Sequence, residues 1–253
     1  LDKVVKLASN ENPFGFSQRV QEALAQSLTG LEYYPDGGAK ALKEAIANVN
    51  QVPEERILVG AGLDDVIQII SRSLLSPGDE IIVADPTFSQ YELHAVIEGA
   101  KVVKVPVKQS SGEMDFEAML EAITEKTKII WLCNPNNPTG TYLPQSLIRA
   151  FIEKVPTDVL VISDEAYQEY VTDEAISTSL PLLETLSNII VMRTFSKAYG
   201  LAGLRIGYAI IPTTVSRAFD IVRPPFNTST IAQKAAIVAL EDQAFIEHSV
   251  AVN

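Results

Sequence analysis

A lysine and an arginine stand eight residues apart in the segment TFSKAYGLAGLRIGY, residues 194–208. Small and apolar residues flank Lys197 and Arg205, whereas most basic side chains in proteins are solvated. A lysine held in an apolar setting has a lowered pKa and can act as a nucleophile or a base. The segment therefore carries either two ordinary solvated cations or an amine that takes part in chemistry.

Four more polar clusters each follow an apolar, β-branched run: GAGLDD (60–65), DPTFSQY (85–91), NPNNPTG (134–140) and DEAY (164–167). The glycine-rich turn of GAGLDD can present backbone N–H groups to a phosphate at a helix N-terminus, or it can be only a tight turn. Phe88 can stack on a planar ligand, or it can be a core aromatic residue. Taken singly, neither cluster decides between a ligand site and a structural role.

The other two clusters constrain their side chains more strongly. Asn137 precedes Pro138 in a rigid turn, and we predict a cis peptide bond there that fixes the Asn137 amide, which could hold a phenolic oxygen. Asp164 ends an apolar strand, and a buried carboxylate without a partner is costly. We therefore expect a cationic partner for Asp164, unless it only caps a helix.

The elements that must position these residues alternate along the chain. Strands are predicted over residues 57–60, 79–85, 101–107, 128–134, 158–164, 188–194 and 206–211, and helices over 63–75, 88–99, 116–124, 144–154 and 236–253. Alternating strands and helices predict a largely parallel sheet with helices on both faces. Ligands in such folds bind beyond the carboxyl ends of the strands, where the clusters lie.

Composition narrows the classes of function. Hydrophobic residues make up 47% of the 253 residues, which is enough for a sizeable core. The net charge of −12 argues against a nucleic-acid partner. We see no apolar run long enough to cross a membrane, no signal peptide, and no metal-ligand spacing among His94, His248 and Cys133. Cys133, the only cysteine, cannot form an internal disulfide, which fits a cytoplasmic protein.

In combination the clusters resemble the fold-type I, pyridoxal-5′-phosphate-dependent aminotransferases, and more narrowly the histidinol-phosphate aminotransferase family. The ordered set NNPTG, DEAY and SKAYGLAGLR carries the resemblance to the fold type and its cofactor. KLASNENPFG (6–15), YYPDG (33–37) and RPPFN (223–227) extend it over essentially the whole chain and narrow the family.

The resemblance implies roles around the ring of pyridoxal 5′-phosphate. Lys197 would form the Schiff base and then carry the proton between the substrate and cofactor carbons. Asp164 would pair with the pyridinium nitrogen and so gain the cation that it needs. Asn137 and Tyr167 would bond the phenolic oxygen, and Phe88 would stack on the ring, where the family often has tyrosine.

The resemblance also implies a site for the cofactor phosphate. Ser196 and Arg205 would bind the phosphate, joined by the backbone amides of Leu63 and Asp64. Tyr34 would reach the phosphate in the neighbouring subunit, which makes the expected active unit a homodimer with shared sites.

The implied reaction is a ping-pong amino transfer. L-Histidinol phosphate and 2-oxoglutarate would give imidazole acetol phosphate and L-glutamate, a step of histidine biosynthesis in the cytoplasm. Three alternatives stay open: an aminotransferase for aromatic or other amino acids, a phosphothreonine-type decarboxylase of the same fold, and a non-catalytic, pyridoxal-phosphate-binding regulatory domain.

The expected fold is an α/β three-layer sandwich around a mostly parallel seven-stranded sheet, with the last strand antiparallel. Residues 1–30 are assigned to an N-terminal arm and part of a small domain, 31–227 to the cofactor-binding large domain, and 228–253 to the start of an interdomain helix and a truncated C-terminal small domain. Because the chain opens on Leu1 and its last arginine is Arg223, we expect sequence to be missing at both ends, including most of the small domain and its substrate-binding arginines.

Overall fold

The computed structural model describes residues 5–173 and 178–253, so the first four residues of the predicted arm lie outside the described residues. The strands are β1 Ile57–Gly60, β2 Glu80–Asp85, β3 Lys101–Pro106, β4 Thr127–Cys133, β5 Leu160–Asp164, β6 Ile189–Thr194 and β7 Gly207–Ile210. The α-helices are α1 Gln18–Ala25, α2 Lys40–Asn50, α3 Leu63–Leu74, α4 Gln90–Ile97, α5 Phe116–Glu121, α6 Gln145–Ile152, α7 Thr213–Val222, α8 Thr230–Glu241 and α9 Gln243–Val252.

In the part of the chain that the structure describes, seven strands form one sheet in the order β1-β7-β6-β5-β4-β2-β3. Strand β7 runs antiparallel to both of its neighbours, β1 and β6. The pairs β2–β3, β2–β4, β4–β5 and β5–β6 are all parallel. The predicted fold class and the antiparallel last strand are therefore confirmed.

Each face of the sheet carries its own hydrophobic core. In β4, Ile130 and Leu132 join the core on one face, which is covered mainly by α2, α6 and α8. Ile129, Trp131 and Cys133 join the core on the opposite face, which is covered by α3, α4 and α7. The alternation follows from the two-residue period of a strand, and it explains why these strands are apolar throughout.

The same period decides which side chains meet beyond the strand ends. Asp164 ends β5 two residues after Ile162, so it lies on the face that α3 and α4 cover. The parallel strands β2, β4, β5 and β6 end at one edge of the sheet, so the loops that follow them converge there.

The C-terminal segment differs from its prediction. The single helix expected over 236–253 is wrong, because the backbone leaves the helical conformation at Asp242 and separates α8 from α9. The Ser17 hydroxyl donates to the Asp242 carboxylate, and Ser17 also caps α1. No glycine or proline marks the break, and Asp242 has the non-helical backbone angles φ −99° and ψ 70°.

No helix among the residues described by the structure is long and apolar enough to cross a membrane. Nor do those residues contain a group of three or more His, Cys, Asp or Glu side chains placed to hold a metal ion.

Candidate active site

One cavity of about 820 Å³ lies at the carboxyl edge of the sheet. Every predicted site residue except Tyr34 lines it: Leu63, Asp64, Phe88, Asn137, Asp164, Tyr167, Ser196, Lys197 and Arg205. The structure thus brings together residues from five separate loops, in agreement with the rule that ligands bind where parallel strands end.

Asp164 lies at the buried end of the cavity and is 2% exposed. The Tyr91 hydroxyl donates to its Oδ2 atom at 2.6 Å, and the Ala166 amide donates to its Oδ1 atom at 3.0 Å. Burial raises the pKa of Asp164 to about 6, while these two hydrogen bonds act in the opposite direction. Among the described residues, the partners that bond Asp164 are neutral donors, so the expected cationic partner stays a prediction.

Lys197 follows β6 and is half-buried. Its Nζ atom donates to the Ser9 carbonyl oxygen at 2.8 Å and lies 5.5 Å from the centre of the Tyr167 ring. Burial lowers the pKa of the Lys197 amine, and the nearby Arg205 guanidinium adds to that shift, whereas Glu11 opposes it. The amine is therefore biased toward the neutral form that can act as a nucleophile or a base.

The N-terminus of α3 also lines the cavity. Gly62 precedes the helix with φ +81°, and a Cβ atom there would overlap the Arg205 guanidinium. Arg205 donates to Asp64 Oδ2 at 3.3 Å and to the Ala202 carbonyl oxygen at 3.1 Å. The first N–H groups of a helix have no intrahelical partner, so this end offers amide and guanidinium donors to an anion.

Asp65 holds the turn before α3 in place. Its Oδ2 atom accepts hydrogen bonds from the Ala61 amide at 2.8 Å and from the Asn227 side chain at 2.7 Å. The helix start is thereby tied to the segment that precedes α8. Asp65 acts structurally, as the tight-turn interpretation of GAGLDD expected, while the neighbouring Leu63 and Asp64 line the cavity.

The loop after β4 is fixed by its buried asparagines. Asn134 bonds both the amide and the carbonyl oxygen of Leu143, at 2.8 and 3.0 Å, and Asn136 donates to the Pro86 carbonyl oxygen at 3.1 Å. The predicted cis bond between Asn137 and Pro138 is confirmed. With its neighbours held in this way, Asn137 lines the cavity.

Tyr167 and Phe88 form aromatic walls of the cavity. The Tyr167 hydroxyl accepts a hydrogen bond from the Asn10 side chain at 3.0 Å. Phe88 is half-buried and packs edge-on against Tyr91 at 5.6 Å, so it serves both the core and the cavity wall. Cys133 also lines the cavity, and burial raises the pKa of its thiol to about 12, which keeps it protonated.

Tyr34 lies away from this cavity. Its ring is exposed and stacks on Phe226 at 4.7 Å. Because its expected role is in a neighbouring subunit, its place in a single chain leaves that role a prediction.

Sequence reasoning did not assign Tyr91, Ser9 or Asn10 to the site, although each bonds a predicted site residue. Tyr91 stands three positions after Phe88 in the quoted cluster DPTFSQY, one helical turn away, and that spacing was the available signal. Ser9 and Asn10, which contact Lys197 and Tyr167, belong to KLASNENPFG, which served only as a family signature.

A half-buried lysine, a buried carboxylate and a helix start that offers donors to an anion meet at the carboxyl edge of this sheet, an arrangement that suits the aminotransferase class of α/β proteins. Comparison with known families agrees, since residues 2–253 match the family described as aminotransferase class I and II. The chain belongs to this family.

Two relatives within this family are histidinol-phosphate aminotransferases. Histidinol-phosphate aminotransferase 1 of Bacillus cereus is 54% identical over 253 residues, which are 100% of this chain and 68% of that protein. The histidinol-phosphate aminotransferase of Geobacillus thermodenitrificans is 52% identical over 253 residues and is covered to 69%. These relatives confirm the predicted family resemblance.

A solved structure shares the fold closely. The crystal structure of histidinol-phosphate aminotransferase from Sinorhizobium meliloti, in complex with pyridoxal-5′-phosphate, superposes with a TM-score of 0.90 at 32% sequence identity. The match covers 96% of this chain and 66% of that one. This chain thus spans about two thirds of the length of these proteins.

Proposed function

We propose that this protein is a pyridoxal-phosphate-dependent aminotransferase that uses L-histidinol phosphate as amino donor and 2-oxoglutarate as acceptor. The observation that carries the proposal is the convergence of Lys197, Asp164 and Arg205 on one cavity. The choice of substrates is supported by the 54% identity to histidinol-phosphate aminotransferase 1 of Bacillus cereus.

The residues of the cavity fit the cofactor. Arg205, Ser196 and the amides of Leu63 and Asp64 would hold its phosphate, and Gly62 keeps open the space that the guanidinium occupies.

Aromatic and amide side chains would hold the cofactor ring. Phe88 would cover one face of the ring, and Asn137 and Tyr167 would donate to its phenolic oxygen. When bound, pyridoxal phosphate supplies a ring that accepts the electron pair left on the substrate carbon.

Lys197 provides the acid–base chemistry. Burial lowers the pKa of its Nζ amine, which would take the proton from the substrate's α-carbon and deliver it to the cofactor carbon that bears the amino group. The Ser9 carbonyl oxygen, 2.8 Å from Nζ, holds the amine on the cavity side of the loop.

Asp164 provides the negative charge that would face the ring nitrogen of the cofactor. With a pKa of about 6 its carboxyl is mostly ionised at pH 7 to 8, and burial strengthens its attraction for a cationic ring nitrogen. The same carboxylate on an exposed surface would be screened by water and salt.

We also propose that the protein works as a cytoplasmic homodimer. In the dimer, the exposed Tyr34, steadied by its stack on Phe226, would contribute to the partner subunit's phosphate site. We also propose that the cofactor-binding large domain begins after residue 30 and ends at residue 227.

Absorbance spectroscopy tests the proposed function. The protein is mixed with pyridoxal phosphate, and its spectrum is recorded before and after addition of L-histidinol phosphate, with Lys197→Ala as the control. We expect a protein-bound cofactor band that L-histidinol phosphate converts to the amine form of the cofactor, and no conversion in the variant. A cofactor band that only a different amine converts would contradict L-histidinol phosphate as the amino donor. The absence of any protein-bound cofactor band would contradict pyridoxal phosphate as the cofactor.

A further inference from the structure

Tyr91 is a fully buried residue of α4, with 0% exposure, and its hydroxyl points at the site. The oxygen lies 2.6 Å from Asp164 Oδ2, which is a short hydrogen bond of the kind made to a carboxylate. None of the roles derived above uses Tyr91.

The ring of Tyr91 is held on two sides. It stacks on Trp131 with centroids 4.6 Å apart and planes 8° from parallel, and Phe88 packs edge-on at 5.6 Å and 79°. These contacts fix the plane of the ring, so the hydroxyl has little freedom to turn from Asp164. Tyr91 thereby links the carboxylate and the aromatic wall of the cavity.

The Asp164 carboxylate depends on this contact because its other hydrogen bond, from the Ala166 amide, reaches the opposite oxygen. Without the hydroxyl, Oδ2 would be buried with no donor, a situation that favours the neutral acid. The titratable or charged groups whose charges act on Asp164 come from every neighbouring element: Asp64 of α3, Tyr91 of α4, Cys133 of β4, Glu165 and Tyr167 after β5, and Lys197 after β6.

We propose that Tyr91 is a positioning residue, whose hydroxyl keeps Asp164 ionised and aimed into the cavity. The inference rests on the proposed function, because it concerns the carboxylate that would face the cofactor ring. Tyr91 acts through Asp164 and touches neither substrate nor cofactor in this scheme.

Tyr91→Phe tests the proposal, because it removes the hydroxyl and keeps both ring contacts. The dissociation constant of pyridoxal phosphate is measured for the wild type and the variant from pH 6 to pH 9. A hydrogen bond to a charged group accounts for a factor of about ten or more, so we expect affinity to fall about tenfold at pH 6. The loss should fade by pH 9, where Asp164 ionises in both proteins.

Tyr208→Phe is the matched control. Tyr208 is also buried, and its hydroxyl bonds the Asn50 side chain at 3.3 Å in the core on the other face of the sheet. We expect its removal to leave the ratio of dissociation constants flat across the pH range. A Tyr91→Phe profile that is equally flat, or an unchanged affinity at pH 6, would overturn the proposal.

Two further measurements separate this inference from the proposed function. The first is the infrared band of the protonated Asp164 carboxyl in the cofactor-free protein, which is identified by its absence in Asp164→Asn. As the pH rises, this band should disappear about one to two pH units later in Tyr91→Phe than in wild type. This readout holds even if the cofactor assignment fails. In an Asp164→Asn background, which leaves no unpaired carboxylate, Tyr91→Phe should not weaken cofactor binding further, and an additive loss would overturn the proposal.

Discussion

Replacing Asp164 with asparagine is expected to stabilise the cofactor-free protein while weakening its binding of pyridoxal phosphate. The two effects have one cause: the carboxylate is buried, its two hydrogen bonds compensate only in part for its lost hydration, and a bound cation would add to that compensation. Asparagine has the same shape and can keep both hydrogen bonds, by accepting from the Ala166 amide and donating to the Tyr91 hydroxyl.

The magnitude follows from the pKa of Asp164. Burial raises it from 3.8 to about 6, so the folded state binds the proton more tightly than the unfolded state. The corresponding stability is present at low pH and is lost as the pH rises through about 6. At about 1.4 kcal/mol per unit, the ionised carboxylate lowers the free energy of unfolding at pH 8 by roughly 3 kcal/mol, and by about half of that at pH 5.

Urea unfolding of the cofactor-free protein at pH 5 and pH 8 measures this difference. We expect the advantage of Asp164→Asn over wild type to be larger at pH 8 than at pH 5 by roughly 1.5 kcal/mol. Asp158→Asn, the same change at an exposed residue just before β5, is the control. With saturating pyridoxal phosphate the order should reverse, because wild type binds the cofactor better. If Asp164→Asn is no more stable than wild type, or is more stable by the same amount at both pH values, then Asp164 is not a buried carboxylate that ionises at a cost in stability.

Three other substitutions test separate parts of the structure. Lys197→Ala should abolish amino transfer in a coupled glutamate assay while the unfolding midpoint stays near wild type, and unchanged turnover would contradict the role of the amine. Arg205→Ala should weaken cofactor affinity about ten- to a hundredfold by fluorescence titration, because it removes charged donors from the anion site; equal affinity would argue against that site. Arg193→Met should lower the free energy of unfolding by about 3–5 kcal/mol in urea, because Glu165, whose Oε2 atom accepts from Arg193 at 2.8 and 3.0 Å, would be left buried without its cation. Arg19→Ala removes an exposed ion pair and is the control in all three assays. Its free energy of unfolding should change by under about 1 kcal/mol.

The strands and the helices between them could be predicted from the sequence with good accuracy. Their apolar residues follow the periods of two and three to four residues that each conformation imposes locally, so the order of the elements was readable. The break at Asp242 was not readable because no glycine or proline marks it, and the Asp242 carboxylate bonds Ser17, more than two hundred residues earlier in the chain.

The candidate site, too, was predictable only in part from the sequence. The ordered motifs around Lys197, Asp164 and Arg205 carried the family resemblance that implied their roles, whereas the residue types alone left structural roles open. The rule that parallel strands end at one edge of a sheet predicted that they would meet, and the cavity contains them all.

Only the tertiary structure decided the partners of these groups. The sequence did not indicate that the Tyr91 hydroxyl, from a helix 73 positions away, would bond Asp164. The fold also places the Ser9 carbonyl oxygen, 188 positions away, against the Lys197 amine. A residue's chemistry is local and can be read from its type. Burial and hydrogen-bond partners arise from packing between distant segments, and that packing raises the pKa of Asp164 and lowers the pKa of Lys197.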